Sequence, residues 1–131
     1  MKKGGILNPA ICSLLAELGH MDELLIVDAG YSLPPDGHVI DLTLTPGIPR
    51  FLDVLRAVAE ELVIESITVA SEMSEYNPKL YQEVLRIVGD VDVDEVPNHE
   101  FKEQSDAVKG IIRSAEFTQY ANVRVLCGSA F

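Results

Sequence analysis

With 131 residues, 47% of them hydrophobic, the chain can bury one proper core but not two, so residues 1–131 are expected to form a single domain. Lys and Arg number 10 against 21 Asp and Glu, a formal net charge of −11 that opposes binding to nucleic-acid backbones and anionic membrane surfaces. Cys12 and Cys127 have no CxxC or disulfide-framework spacing, and the apolar stretch after Lys2-Lys3 is broken at Asn8-Pro9, too early for a signal peptide. A cytoplasmic protein with two buried thiols is the expectation, and a mean hydropathy of +0.17 hints at apolar surface covered by other copies.

Asn8-Pro9 is a helix start, with Ile11, Leu14, Leu15 and Leu18 on one face and Gly19 as the stop. Glu23 to Asp28 is a short apolar run closing on a turn at Ala29-Gly30, which predicts a buried strand ending in a carboxylate. Pro34-Pro35-Asp36-Gly37 is a loop and His38 to Leu44 a second strand. The rigid turn Pro46-Gly47-Ile48-Pro49 then leads into a helix over about Arg50 to Glu61. Ile64 to Ala70 returns as a strand. Asn77-Pro78 repeats the helix-start signal, with Leu80, Val84, Leu85 and Val88 on one face and Gly89 near the exit. Asp92 to Val96 is strand-like, and Asn98 is placed to cap a short helix over roughly His99 to Gln104. Val108 to Arg113 and Asn122 to Leu126 supply the final strands. Alternating strands and helices predict an α/β fold, a single layered domain with a mostly parallel sheet flanked by helices.

The residues suited to chemistry lie at the ends of these segments, where open α/β sheets gather ligands. His20 follows Gly19 at a helix end, whose partial negative charge favours imidazolium. An ordinary helix-end histidine is the commoner reading, a general acid the sharper one. Asp28 either bonds the Ala29-Gly30 amides or receives ligand hydroxyls, and one carboxylate can do both. His99, at a helix start where the partial positive charge favours neutral imidazole, is either a hydroxyl ligand or a solvated loop residue. Tyr120 offers a stackable ring and Asn122 both donors and acceptors, as a polyhydroxylated ligand requires; Ala121 between them offers only backbone. His38 is read as structural. The three histidines lack metal-ligand spacing, and no P-loop, dinucleotide fingerprint or nucleophile elbow occurs, so no metal and no cofactor is expected. Glu60-Glu61 and Asp90 to Glu95 are read as solvated faces rather than a glycosidase pair.

The motifs Lys2-Lys3-Gly4-Gly5-Ile6-Leu7-Asn8, Leu18-Gly19-His20, Ile40 to Pro49 and Glu116-Phe117-Thr118-Gln119-Tyr120-Ala121-Asn122 span nearly the whole chain. Together they resemble the D-ribose pyranase and fucose mutarotase family, on the ribose pyranase side. The resemblance implies a cofactor-independent isomerase that interconverts the pyranose and furanose rings of ribose, with His20 in proton transfer and Asp28, His99 and Tyr120-Ala121-Asn122 holding the sugar. It also implies a ring-like homo-oligomer, often a decamer of two stacked pentamers, with sites between subunits. Ala115 stands where the family often has glycine and Gln119 where proline is expected, which bears on substrate preference through loop geometry. The alternatives are a fucose mutarotase, disfavoured because Glu116-Phe117-Thr118 lacks that branch's arginine, and a non-catalytic sugar-binding partner of a transporter.

Overall fold

The computed structural model describes residues 1–131 and contains six strands and five helices. In chain order they are α1 (Pro9–Glu17), β1 (Glu23–Val27), β2 (Val39–Asp41), α2 (Phe51–Ala59), β3 (Ile64–Ala70), α3 (Ser71–Tyr76), α4 (Pro78–Val88), β4 (Asp92–Val96), α5 (Asn98–Glu103), β5 (Gly110–Arg113) and β6 (Val123–Cys127). A 3₁₀ turn over Gln104–Ala107 follows α5. No helix is long and apolar enough to cross a membrane.

The strands form one sheet in the order β2-β5-β1-β6-β3-β4. β1 and β2 run parallel to β5, and β3 runs parallel to β4. β6 is antiparallel to both β1 and β3, so it joins the two parallel groups while running against all of them. The mostly parallel sheet read from the sequence is therefore present, with one reversed strand near its centre.

Burial explains the unbroken apolar run of β1. Leu24 and Ile26 belong to a core with Leu14, Phe51, Leu55, Val58 and Val84 from α1, α2 and α4. Leu25 and Val27 point to the opposite face, against Tyr31, Phe101 and Ile111. A strand covered on both faces has no polar side to alternate with.

Local signals set the helix boundaries. The Asn8 side chain accepts from the Ile11 amide at 3.1 Å, and the Asn77 side chain from the Leu80 amide at 3.2 Å, so both Asn-Pro starts act as side-chain caps. α1 stops before Gly19, because Leu18 is already extended and the Gly19 amide donates to Asp22 Oδ2 at 2.7 Å. Asn98 does not cap α5: Pro97 holds the cap position and Asn98 is the first helical residue. β2 is shorter than expected because Asp41 Oδ1 accepts from the Thr43 amide and hydroxyl, which turns the chain after three residues. Helix α3 carries no start signal in its sequence; it follows β3 directly, anchored by the fully buried Met73. Two other expectations change. Cys12 is only partly buried, and Glu61 is not merely solvated, since its Oε2 accepts from the Ile6 amide at 2.7 Å and ties down the N-terminal segment.

The contrast between the two asparagines is measurable by urea denaturation. Asn8→Ala should cost about 1 kcal/mol through loss of a cap. Asn98→Ala, which removes no cap, should change stability by less than about 0.5 kcal/mol.

Candidate functional site

All five parallel strands end on the same edge of the sheet, and β6 begins there. That edge brings Asp28 after β1, Glu116 after β5 and Asn98 after β4 next to Tyr120 and Asn122 before β6. They line a cavity of about 480 Å³, with Tyr31, Lys102, Phe117, Thr118 and Gln119 completing its wall. A cavity of this size suits a small molecule, and its position beyond the carboxyl ends of strands is where open α/β sheets bind ligands.

Asp28 and Asn122 form a reciprocal pair at its base. The Asp28 amide donates to Asn122 Oδ1 at 2.8 Å, and Asn122 Nδ2 donates to Asp28 Oδ2 at 3.0 Å. Asp28 Oδ1 accepts from the Gly30 amide at 2.9 Å, so the carboxylate has the turn role read from the sequence and still lines the cavity. Burial pushes the Asp28 carboxyl above the ordinary aspartate range, against the opposing pull of hydrogen bonds from Asn122 and Gly30 and the Lys102 charge.

Glu116 is committed to the scaffold. Its Oε1 accepts from the Phe51 amide at the start of α2 at 3.2 Å, and its Oε2 from the Thr118 hydroxyl at 2.9 Å. A carboxylate on a helix N-terminus satisfies amides that have no partner within the helix. Its backbone carbonyl accepts from the Ala29 amide at 2.9 Å, which joins the loops after β1 and β5. Ala115 is buried with both backbone groups bonded, its amide to Pro49 and its carbonyl to Gly47, and it needs no positive φ. Alanine thus meets the demands of that position, while Gln119 is an exposed member of the cavity wall.

Tyr120 has φ of 63°, a left-handed conformation that costs a non-glycine residue roughly 1–3 kcal/mol. Its carbonyl accepts from the Asn122 amide at 2.9 Å, and its ring stacks on Tyr76 with centroids 5.9 Å apart. Ala121 is fully buried and does not line the cavity.

The structure does not bring His99 to the cavity. Because α5 starts at Asn98, the cavity-facing positions one turn apart are Asn98 and Lys102, while Phe101 enters the core and His99 lies on an exposed face. Asn98 Oδ1 is buried without a hydrogen-bond partner at the cavity wall. The sequence reading assigns Asn98 to a cap and gives Lys102 no role. α5 is held in place by Arg124, 8% exposed in the central strand β6. Its Nε pairs with Glu23 Oε2 at 2.8 Å, a terminal nitrogen donates to Gln104 Oε1 at 2.9 Å, and the guanidinium lies 5.5 Å from the Phe101 ring centroid.

His20 is also absent from the cavity of its own chain. It lies in the turn before β1, whose next residue Met21 has φ of 74° and donates its amide to the Cys127 carbonyl at 2.9 Å. The partner of its imidazole is not the end of α1 but Glu65, with Nε2 3.6 Å from Oε1. Asp28 lies past the other end of β1, so at about 3.3 Å per residue the two side chains are separated by roughly 16 Å of strand. Nowhere do three or more His, Cys, Asp or Glu side chains converge as metal ligands would.

The Asp28–Asn122 pair makes the cavity part of the fold. Asn122→Ala should cost about 1–3 kcal/mol, measured by thermal or urea unfolding, because the partly buried Asp28 amide loses its acceptor.

The sequence model of the RbsD / FucU transport protein family matches residues 1–130. The chain is 42% identical to D-ribose pyranase of Glaesserella parasuis serovar 5, with both proteins covered in full. It is 44% identical to D-ribose pyranase of Geobacillus kaustophilus, covering all of this chain and 96% of that one. Among solved structures it matches Bacillus subtilis RbsD complexed with D-ribose at a TM-score of 0.95 and 37% identity, each chain covered in full. Fucose mutarotase from Streptococcus pneumoniae in complex with L-fucose matches at a TM-score of 0.70, with 95% of each chain covered and 17% identity, a likeness of fold alone.

Proposed function

The chain belongs to the RbsD / FucU family, and from that premise we propose that it interconverts the pyranose and furanose rings of D-ribose. The observation that carries this reading is the edge cavity, with a carboxylate, two amides, an ammonium and an aromatic ring around a space large enough for a monosaccharide, in a chain about 40% identical to D-ribose pyranases. Fucose mutarotase is the weaker reading, since its likeness is limited to fold.

Ring opening removes a proton from the anomeric hydroxyl and delivers one to the ring oxygen. After bond rotation, a different hydroxyl of the open aldehyde closes the new ring. Opening breaks the bond between the anomeric carbon and the ring oxygen; closure forms a new one as the attacking hydroxyl gives up its proton and the carbonyl oxygen gains one, so proton transfer by an imidazole and a set of orienting hydrogen bonds suffice. Asp28 accepts from a sugar hydroxyl, Asn98 and Asn122 bond others, Lys102 donates, and the Tyr120 ring covers an apolar face of the sugar. His99 lies outside this cavity wall, on the exposed side of α5.

His20 supplies the proton from a second copy of the chain. Two apolar patches support this arrangement: Met21 and Val63 are exposed near His20, while Leu44, Ile48 and Phe117 are exposed beside the cavity at the opposite edge of the sheet. Docking the first patch of one copy on the second patch of the next is a head-to-tail contact, which repeats until a ring closes. Stacking two such rings would give the decamer. The unpaired thiols Cys12 and Cys127 suit a reducing, cytoplasmic setting.

His20→Ala should fold normally and lose about 10²- to 10⁴-fold of the ring-exchange rate, followed by NMR of ribose. Wild-type rates in the folded variant would remove His20 from the mechanism. Sharing of sites between copies has its own test, because mixing His20→Ala with Tyr120→Ala subunits should restore up to about one quarter of the sites after random reassembly. No recovery in mixed assemblies would place each site within one chain.

Asp28 also sets a pH dependence. Its folded value lies above the unfolded one, so its contribution to stability is full below the ordinary aspartate range and is lost as pH rises through the raised value. Its ionised form is the acceptor for sugar hydroxyls. Ribose affinity should therefore fall on acidification, beginning above the pH at which an ordinary aspartate titrates, and Asp28→Asn should abolish that dependence in calorimetric titrations.

A further inference from the structure

Tyr76 is a large aromatic residue, 68% exposed, that lies outside the cavity wall. Yet its ring lies along that of Tyr120, with centroids 5.9 Å apart and planes inclined by 22°, an offset stack. The two residues differ in how firmly they are held. Tyr76 ends α3, which is fixed by the buried Met73 and by the Asn77 amide donating to the Met73 carbonyl at 2.9 Å. Asn77 then caps α4, so Tyr76 sits at the joint of two helices. Tyr120 instead lies in an irregular segment at φ of 63°, a conformation its own backbone does not favour.

We infer that Tyr76 is a positioning residue that holds the Tyr120 ring in the orientation that covers the sugar, and so sets affinity without touching the sugar. The inference rests on the reading of Tyr120 as a ribose contact. It explains why a bulky apolar ring is kept in water at the mouth of a polar cavity. The stack acts on bound ribose before and during ring opening alike, so its loss should appear in the half-saturating concentration rather than in the rate at saturation.

The test measures ribose affinity by calorimetry and ring exchange by NMR for Tyr76→Ala, Tyr76→Phe, Tyr120→Ala and the Tyr76→Ala/Tyr120→Ala double variant, with assembly size by light scattering. Tyr76→Ala should weaken ribose binding about two- to tenfold and leave the rate at saturation within about twofold of wild type. Tyr76→Phe, which keeps the stack, should bind as wild type. The double variant should be no weaker than Tyr120→Ala, because Tyr76 acts only through that ring. Wild-type affinity in Tyr76→Ala, an equal loss in Tyr76→Phe, additive losses in the double variant, or a loss that accompanies dispersal of the assembly would each overturn the inference. Unchanged affinity in Tyr120→Ala would remove the underlying sugar contact, and the inference with it. That result is distinct from one in which Tyr120→Ala binds weakly while Tyr76→Ala does not.

Discussion

The reversed strand β6 is the constraint on which the functional edge depends. Because it enters the sheet at the edge where its neighbours leave, Asn122 meets Asp28 and the two exchange backbone and side-chain hydrogen bonds. A parallel sixth strand would put its first residues at the other edge of the sheet, far from that carboxylate. The same strand carries Arg124, whose contacts with Glu23, Gln104 and Phe101 seat α5 and hence Asn98 and Lys102. One strand thus orders both sides of the cavity. A buried arginine has a large desolvation cost, and here it is offset by a carboxylate, an amide oxygen and an aromatic face.

The scaffold carboxylates and the cavity carboxylate are separated by their hydrogen bonds. Glu116 has its oxygens taken up by the Phe51 amide and by Thr118, so it fixes the loop after β5 to the start of α2. The Asp28 carboxylate accepts two hydrogen bonds, from the Asn122 side chain and the Gly30 amide, and burial outweighs them in its titration. Two acidic residues on one wall therefore differ in their ties, Glu116 being bound to the scaffold and Asp28, in the proposed function, to the sugar.

Most of the fold could be read from the sequence because its signals are local. The two Asn-Pro starts, the apolar run of β1 and the seven residues of β3 all depend on neighbours in the chain. Helix α3 could not be read that way, since burial of Met73 rather than any cap holds it. At the site, the turn from Tyr120 to Asn122 was legible as polar chemistry next to a strand. His99 lies at the start of α5 as read, but on an exposed face, because neighbouring helical residues point about 100° apart and it is Asn98 that lines the cavity. The separation of His20 from Asp28 follows from the strand predicted over Glu23 to Asp28, whose length holds the two residues apart.

The central position of β6 also bears on how the chain acquires its shape during synthesis. The halves β2-β5-β1 and β3-β4 share no ladder of their own and are joined within the sheet only by β6, the last strand in chain order. Until then β1 and β3 each have an unpaired edge, the kind of surface that recruits strands from other chains. Closing the sheet requires pairings between distant parts of the sequence, such as Leu24 with Val125, which slows folding and lengthens that exposure. The nascent chain is therefore most vulnerable to aggregation just before its last strand is inserted, and the step that ends that vulnerability is the one that forms the cavity.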